Sequence, residues 1–467
     1  MELGKEFKFT SMMKRIFTVV AALLLSAAAF SQLPLPTPRQ LRWQEMETNA
    51  FLHFTVNTFT GKEWGDGTES EAIFNPVHFD ARQWIRALKA AGFKTAILTC
   101  KHHDGFCLWP SRYTEHSVKN SPWNHGHGDI VREVSDACHE YGLNFGIYLS
   151  PWDRHEKTYG TDAYNTYYKN QLRELLTQYG RISEVWFDGA KGPNAKDMQY
   201  DFKGYWQLVR QLQPGAVIFS DGGPDVRWVG NEQGAAGDTC WSTIDTAGIT
   251  PGHADPAYLN RGDPDGRQWV PAETDVSIRP GWFWHPQENS QVKSPARLVG
   301  LYYQSVGRNS LLLLNIPPDR DGLLYPVDVA NILAFRKILD ATFAHNLVLH
   351  HAPAALTDKN LNTSVTLADQ QPLVIDFGKP VTFDRALLQE NIARGERIES
   401  GSLEYWDGAS WRPLAAFATV GYKRLFRFPA VTTTRVRITV LHSRALVQLA
   451  EAGFFKASPM ETSGDQE

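Results

Sequence analysis

The run EVWFDGAKG, residues 184–192, drives a short apolar strand straight into a carboxylate, Asp188, and follows it with glycine. Aspartate is a poor strand residue, and it is costly to desolvate unless something pairs with it or uses it. Either Asp188 caps the next turn, or the strand exists to hold its carboxylate at the mouth of a site. Three other apolar runs end the same way. KTAILTC leads into KHHDGF with His102, His103 and Asp104, NFGIYLS into PWDRH with Asp153, and AVIFS into Asp221. A strand-end carboxylate near a second carboxylate is the minimum kit for glycoside hydrolysis. The adjacent His102 and His103 raise a metal-dependent hydrolase as a competing class, with Asp104, His116 or Asp153 as further ligands. Neighbours on an extended segment point apart, however, and a metal needs three or four converging ligands. The one HxH, His125 and His127 in NHGHGD, reads as a loop before a helix, and no HExxH is present. No metal and no other cofactor is expected; a chelator separates the two classes.

The elements that must position these groups alternate from about Trp43 onward. DARQWIRALKAAGF starts at Asp80 as N-cap, places Trp84, Ile85, Leu88 and Ala91 on one face, and closes at Gly92. The strand KTAILTC follows. Helix and strand repeat as DIVREVSDACHEYG with LNFGIYLS, YNTYYKNQLRELLTQYG with SEVWFDG, and DFKGYWQLVRQLQPG with AVIFSDGG. Apolar strands separated by amphipathic helices specify a parallel sheet covered on both faces. The repeat count predicts an α/β fold of the (β/α)8-like barrel type over residues 32–348, whose strand ends would open on one face. No GxGxxG or GxxxxGK[ST] follows the early strands, which removes the usual nucleotide-binding reading. From about Pro353 the text turns β-like, with PLVIDFG, SLEYWDG, RLFRFP, TRVRITVL and AEAGFF separated by turn residues. An antiparallel β-sandwich is expected over 349–457, with a flexible tail over 458–467. Trp406 and Trp411 are candidate sugar platforms on it, with core packing as the alternative.

The 467-residue chain carries a formal net charge of −4, which argues against nucleic acid or an anionic membrane as main partner. It is rich in rings, with 15 Trp, 16 Tyr and 25 Phe, which suits both a large core and stacking on sugar faces. Residues 1–31 read as a signal peptide, with Met13 as an alternative start, Lys14 and Arg15 before the apolar run Ile16 to Leu25, and cleavage before Gln32. That run is too short to favour membrane insertion. The expected location is therefore the periplasm in a Gram-negative bacterium and the extracellular space otherwise. Cys100, Cys107, Cys138 and Cys240 lack metal-ligand spacing and predict no essential disulfide framework. Nothing in the sequence sets an oligomeric state.

Five blocks, HFTVNTFTGKEWGDG, KHHDGFCLWPS, GIYLSPWDRH, EVWFDGAKG and SLLLLNIPP, resemble glycoside hydrolase family 29, the retaining α-L-fucosidases, in family order over residues 43–345. The resemblance puts the nucleophile on Asp188 and makes fucosylated oligosaccharides or glycoconjugates the partners. For the acid/base it leaves two candidates, Glu232 in RWVGNEQGAAGD and Glu273 in PAETDVSIRPGW. Glu232 is favoured, because related enzymes place the acid in the loop after AVIFSDGG. Its GNE context looks like the branch that acts on α-1,3/1,4-linked fucose of Lewis-type glycans. Glu273 goes with a broader specificity that includes α-1,2 linkages. By the same resemblance His53, Glu63, Trp64, His102, His103 and Tyr148 supply hydrogen bonds and ring contacts, Trp282 lies beside the fucose methyl, and Arg227 approaches ring and nucleophile. GWFWH around Trp282 departs from the Phe or Tyr patterns of some relatives. A secreted sugar-binding protein without hydrolytic activity is the non-enzymatic alternative.

Overall fold

Eight parallel strands close into a barrel in this computed structural model, which describes residues 33–462. They are β1 (Thr48–Leu52), β2 (Thr95–Lys101), β3 (Asn144–Leu149), β4 (Glu184–Trp186), β5 (Val217–Ser220), β6 (Val226–Trp228), β9 (Ala272–Ser277) and β10 (Leu311–Asn315). The order around the barrel is β1-β10-β9-β6-β5-β4-β3-β2. A two-stranded antiparallel ribbon, β7 (Thr243–Ile244) with β8 (Gln268–Trp269), lies in the long connection between β6 and β9. The α/β barrel expected from the alternating pattern is the fold observed.

Local sequence explains the helices between the strands. Asp80 accepts from the Gln83 amide at 3.0 Å and starts the helix Ala81–Ala90, and Asp129 accepts from the Arg132 amide at 2.9 Å and starts Ile130–Tyr141. Gly142 ends the second of these at φ 69°, a left-handed conformation that glycine reaches without a Cβ penalty. The helices bury Trp84, Ile85, Leu88, Val131, Val134 and their like against the outer faces of the strands. Inside the barrel a separate cluster, including Trp43, Phe51, Tyr148, Trp186 and Phe219, fills the lumen. Trp43 reaches it from the short helix Pro38–Gln44, which plugs the N-terminal end of the barrel.

The C-terminal module is a six-stranded antiparallel sheet: β11 (Val365–Leu367), β12 (Leu373–Glu390), β13 (Ile398–Trp406), β14 (Trp411–Phe417), β15 (Arg424–Ser443) and β16 (Val447–Phe455), in the order β11-β16-β12-β15-β13-β14. The 18-residue β12 and 20-residue β15 break register between Asp376 and Val381 and again between Phe383 and Arg385. Such breaks bend long strands, and this sheet encloses a core of its own that contains Ile375, Phe383, Leu388, Leu403, Val436 and Phe454, consistent with a β-sandwich. Carboxylates fasten it to the barrel. Glu47 accepts from Tyr302 at 2.5 Å, from Tyr422 at 2.8 Å and from Lys423, and Glu396 accepts from the Ser242 amide at 2.7 Å and Asn309 at 2.6 Å. Residues 458–462, expected to open a flexible tail, are tied down instead. Glu461 is buried, pairs with Arg385 at 3.0 Å and accepts from Thr342 at 2.7 Å. The expected signal peptide and residues 463–467 lie outside the described residues.

Candidate active site

The C-terminal strand ends open into a cavity of about 780 Å³. Asp188, just beyond β4, lines it with a side chain 19% exposed. Two donors hold its carboxylate, and an imidazole stands beside it. Tyr148 donates its hydroxyl to Oδ2 at 2.9 Å, the Ala190 amide donates to Oδ1 at 2.8 Å, and His103 Nε2 stands 3.7 Å from Oδ2. Burial and the charge of Asp188 push the Tyr148 phenol well above its usual value, so it remains a donor.

Three imidazoles share the cavity wall, and burial keeps all of them neutral. It pulls His53 down to about 3 and His103 to about 4, and it holds His102 well below its usual value. Their tautomers follow from the partners. Asn315 spends its amide hydrogens on Ser277 at 2.9 Å and on the Trp282 carbonyl at 2.7 Å, so its Oδ1 accepts from His53 Nδ1 at 2.9 Å. Ser150 donates to the Trp152 carbonyl at 2.6 Å and therefore accepts from His103 Nδ1 at 2.7 Å. In both rings Nε2 is left as an acceptor, suited to a neutral polyol's hydroxyl hydrogens. His102 Nδ1 has no hydrogen-bond partner in the described structure.

Opposite them, the long loop after β6 brings in Glu232, which accepts from Trp282 Nε1 at 3.2 Å. Glu232 stays open to solvent on one side, yet desolvation by the cavity wall raises its pKa; the charges of Asp188 and Glu63 raise it further, and the Trp282 bond partly offsets them. Glu63 fixes Trp282, accepting from its backbone amide at 2.8 Å while pairing with His285 at 2.6 Å. The Trp282 ring lies 5.1 Å from that of His53, and Trp64, 41% exposed, stands edge-on to His103 and Trp152 at the rim.

Arg227 and Glu273 are not brought to this cavity. Side chains alternate across a strand, and in β6 it is Trp228 that faces inward. The Arg227 guanidinium points out of the barrel, donating to the backbone carbonyls of Leu259 and Trp241 at 2.8 Å each and to that of Val270. Glu273 does face inward, but low in the barrel, fully buried and accepting from Trp186 Nε1 at 2.7 Å. The indole roofs it over, so it has no access to a glycosidic oxygen. Two residues to which sequence reasoning gave no role line the cavity instead. Asp275, two residues along β9 from Glu273, accepts from Trp228 Nε1 at 2.9 Å, and burial together with the charge of Glu232 pushes its carboxyl well up. The signal for Asp275 was weaker than for Asp188, because its strand, AETDVS, is largely polar and no apolar run sets the carboxylate apart. Asp221, noted at its strand end but given no role, also lines the cavity, and burial lifts it to about 6.

Among the described residues no group of three or more His, Cys, Asp or Glu could hold a metal ion. The four cysteines are buried and free. A family model described as alpha-L-fucosidase matches residues 37–341. The chain belongs to the α-L-fucosidases of glycoside hydrolase family 29. Alpha-L-fucosidase 1 of Arabidopsis thaliana is 46% identical over 424 residues, covering 86% of this chain and 83% of the plant protein. Among solved structures, a glycoside hydrolase 29 family member from an unknown rumen bacterium superposes with a TM-score of 0.84 at 44% identity, over 91% of this chain and 78% of that one. A Ruminococcus gnavus fucosidase of the same family, solved in complex with fucose, matches with a TM-score of 0.84 at 33% identity, over 92% and 96%. This fucosidase is thus a glycoside hydrolase, and the paired carboxyls of its cavity belong to a barrel shared with fucosidases along nearly its whole length.

Proposed function

We propose that this α-L-fucosidase is a retaining exo-enzyme in which Asp188 is the nucleophile and Glu232 the general acid/base. The observation that carries the reading is the contrast between the two carboxyls. Asp188 is held by donors on both oxygens, whereas Glu232, across the same cavity, is pushed towards its protonated form. Environments that separate two carboxyls in this way assign the acid and the nucleophile.

In the first step an Asp188 oxygen attacks the anomeric carbon of fucose, the glycosidic bond breaks, and Glu232 gives its proton to the departing oxygen. In the second, the now ionised Glu232 takes a proton from water, whose oxygen attacks the same carbon and returns Asp188 to the carboxylate. Retaining enzymes place their carboxyls about 5–5.5 Å apart, which leaves no room for direct water attack. His53 and His103 accept from sugar hydroxyls, and Trp282 with Trp64 forms the apolar wall. The GNE context of Glu232 supports terminal α-1,3/1,4-linked fucose on branched glycans as substrate, and the leader at 1–31 supports export to the periplasm or the medium. The test is to supply a Lewis-type trisaccharide and 2′-fucosyllactose in parallel and to follow the anomer of released fucose by NMR. Release mainly from the branched substrate with retained configuration, abolished in Asp188→Ala, is expected. Inverted product, or an Asp188→Ala variant with undiminished activity, overturns the assignment.

A further inference from the structure

Glu184 and Glu273 point into the barrel lumen from β4 and β9, below the catalytic cavity, and both are buried. The two carboxyls are close enough to act on each other's protonation. Their outer oxygens are matched with indole donors: Trp43 Nε1 donates to Glu184 Oε2 at 3.0 Å, and Trp186 Nε1 donates to Glu273 Oε1 at 2.7 Å. Their other oxygens, Glu184 Oε1 and Glu273 Oε2, have no donor from any described group. Two buried carboxylates facing each other without a donor would combine a desolvation cost with like-charge repulsion. A single hydroxyl proton on one carboxyl removes both, because it donates to the other and leaves the pair with one charge shared over four oxygens.

We infer that Glu184 and Glu273 form a proton-sharing acid pair beneath the sugar cavity, and that the pair positions Trp186 and through it the Tyr148–Asp188 contact. Trp186 is the intermediary. Its ring stacks on Phe219 at 3.9 Å and 5° and on Tyr148 at 5.5 Å and 27°, and both Trp186 and Tyr148 line the cavity. An indole anchored by its N–H to a carboxyl below cannot rotate without breaking that bond. Tyr148 resting on it is thereby held where its hydroxyl meets Asp188 Oδ2 at 2.9 Å. The charges that face the pair are acidic: Asp225, from the β5–β6 turn, toward Glu184, and Asp275, one step up β9, toward Glu273. Asp225 is tied down in turn by Arg39 and Arg210. Burial pushes both carboxyls up, and the charge of Glu184 pushes Glu273 further, so the pair keeps a proton that the unfolded chain would release. This gives Glu273 a positioning role in place of the acid/base role considered for it from sequence.

The test compares full-length wild type with Glu273→Gln, Glu184→Gln and Glu273→Ala. Melting temperature is followed from about pH 5 to about pH 9, and kcat and KM for an aryl α-L-fucoside are followed alongside. A glutamine is a permanently neutral donor of nearly the same shape. Either Gln variant is therefore expected to keep kcat/KM within about threefold of wild type, while Glu273→Ala, which strips Trp186 of its acceptor, loses about tenfold or more. The difference in melting temperature between each Gln variant and wild type is expected to rise with pH, because only wild type must hold the proton. Gln variants as impaired as the Ala variant, or a difference that does not change with pH, overturn the inference. If Glu273→Ala does not fold, the two Gln variants decide alone. The thermal arm makes no use of the catalytic assignment, so the two can fail separately.

Discussion

Replacing Trp282 by phenylalanine removes the N–H hydrogen that meets the acid and leaves a smaller ring in place. That hydrogen, on Nε1, is donated to Glu232 Oε2 over 3.2 Å, at the long end of the usual range. A bond of that length to a charged acceptor is worth about 1 kcal/mol. Glu232 is open to solvent on one side, so screening cuts this to about 0.5 kcal/mol. The bond favours the ionised carboxylate, so its loss raises the pKa of Glu232. At 1.36 kcal/mol per pKa unit the rise is about 0.4 unit. The catalytically competent form of the acid is the protonated one, and the alkaline inflection of kcat/KM should therefore move up by that amount. The assay is kcat/KM against pH for wild type and Trp282→Phe on a branched trisaccharide, whose leaving oxygen needs the proton. The smaller ring will also change KM, but a scale factor common to all pH values does not move an inflection. An inflection that stays in place or moves down refutes the placement of Trp282 as donor to the acid.

Glu232→Ala should cost about 10²–10⁴ in kcat/KM on the oligosaccharide, and far less on an aryl fucoside whose phenolate leaves unaided; equal losses on both would remove Glu232 from the acid role. Asp275→Asn keeps an acceptor for Trp228 and a neutral group where burial already favours the protonated acid, so activity should stay within a few-fold, whereas Asp275→Ala orphans the indole and should cost about 1–3 kcal/mol of stability by thermal or denaturant unfolding. Glu396, which fastens the sheet to the barrel, is pushed up to about 8 by burial. The folded chain keeps that proton while the unfolded one releases it near 4.5, so the stabilisation is complete below about pH 4.5 and is lost as pH rises through about 8. Glu396→Gln should flatten melting temperature against pH over that interval, and an unchanged slope would contradict a protonated Glu396.

The fold was readable because its period was regular. Asp80 and Asp129 announce their helices, and apolar runs between such helices leave few arrangements other than a covered parallel sheet. Asp188 was readable for the opposite reason, since a charge where a strand calls for an apolar residue demands an explanation. His102, His103 and Asp221 shared that signal, and all line the cavity. Glu63, Trp64, Glu232 and Trp282 sit in loops where the spacing of residues carries no geometry, and they were reached only through resemblance to a family. The alternation of a single short strand decided the rest. Three-residue β6 offers no periodicity to distinguish Arg227 from Trp228, and the choice of the charged residue turned the wrong face inward. Glu273 and Asp275 share a face of β9, so sequence alone could not say which one stands at sugar height and which lies a layer below.

The way the sheet module is fastened bears on how this protein can be taken apart. Glu47 immediately precedes the first barrel strand, and two of its three donors, Tyr422 and Lys423, arrive from the far end of the chain. Glu396 reaches back from the sheet to the Ser242 amide and Asn309. A cut between residues 348 and 349 would orphan both donors and acceptors in each fragment, at a seam that water does not freely reach. The two architectures, distinct to the eye, are thus one unit of inheritance and of manufacture. Shuffling the sheet among barrels, as one shuffles detachable binding cassettes, would require carrying Glu47, Ser242 and Asn309 along with it.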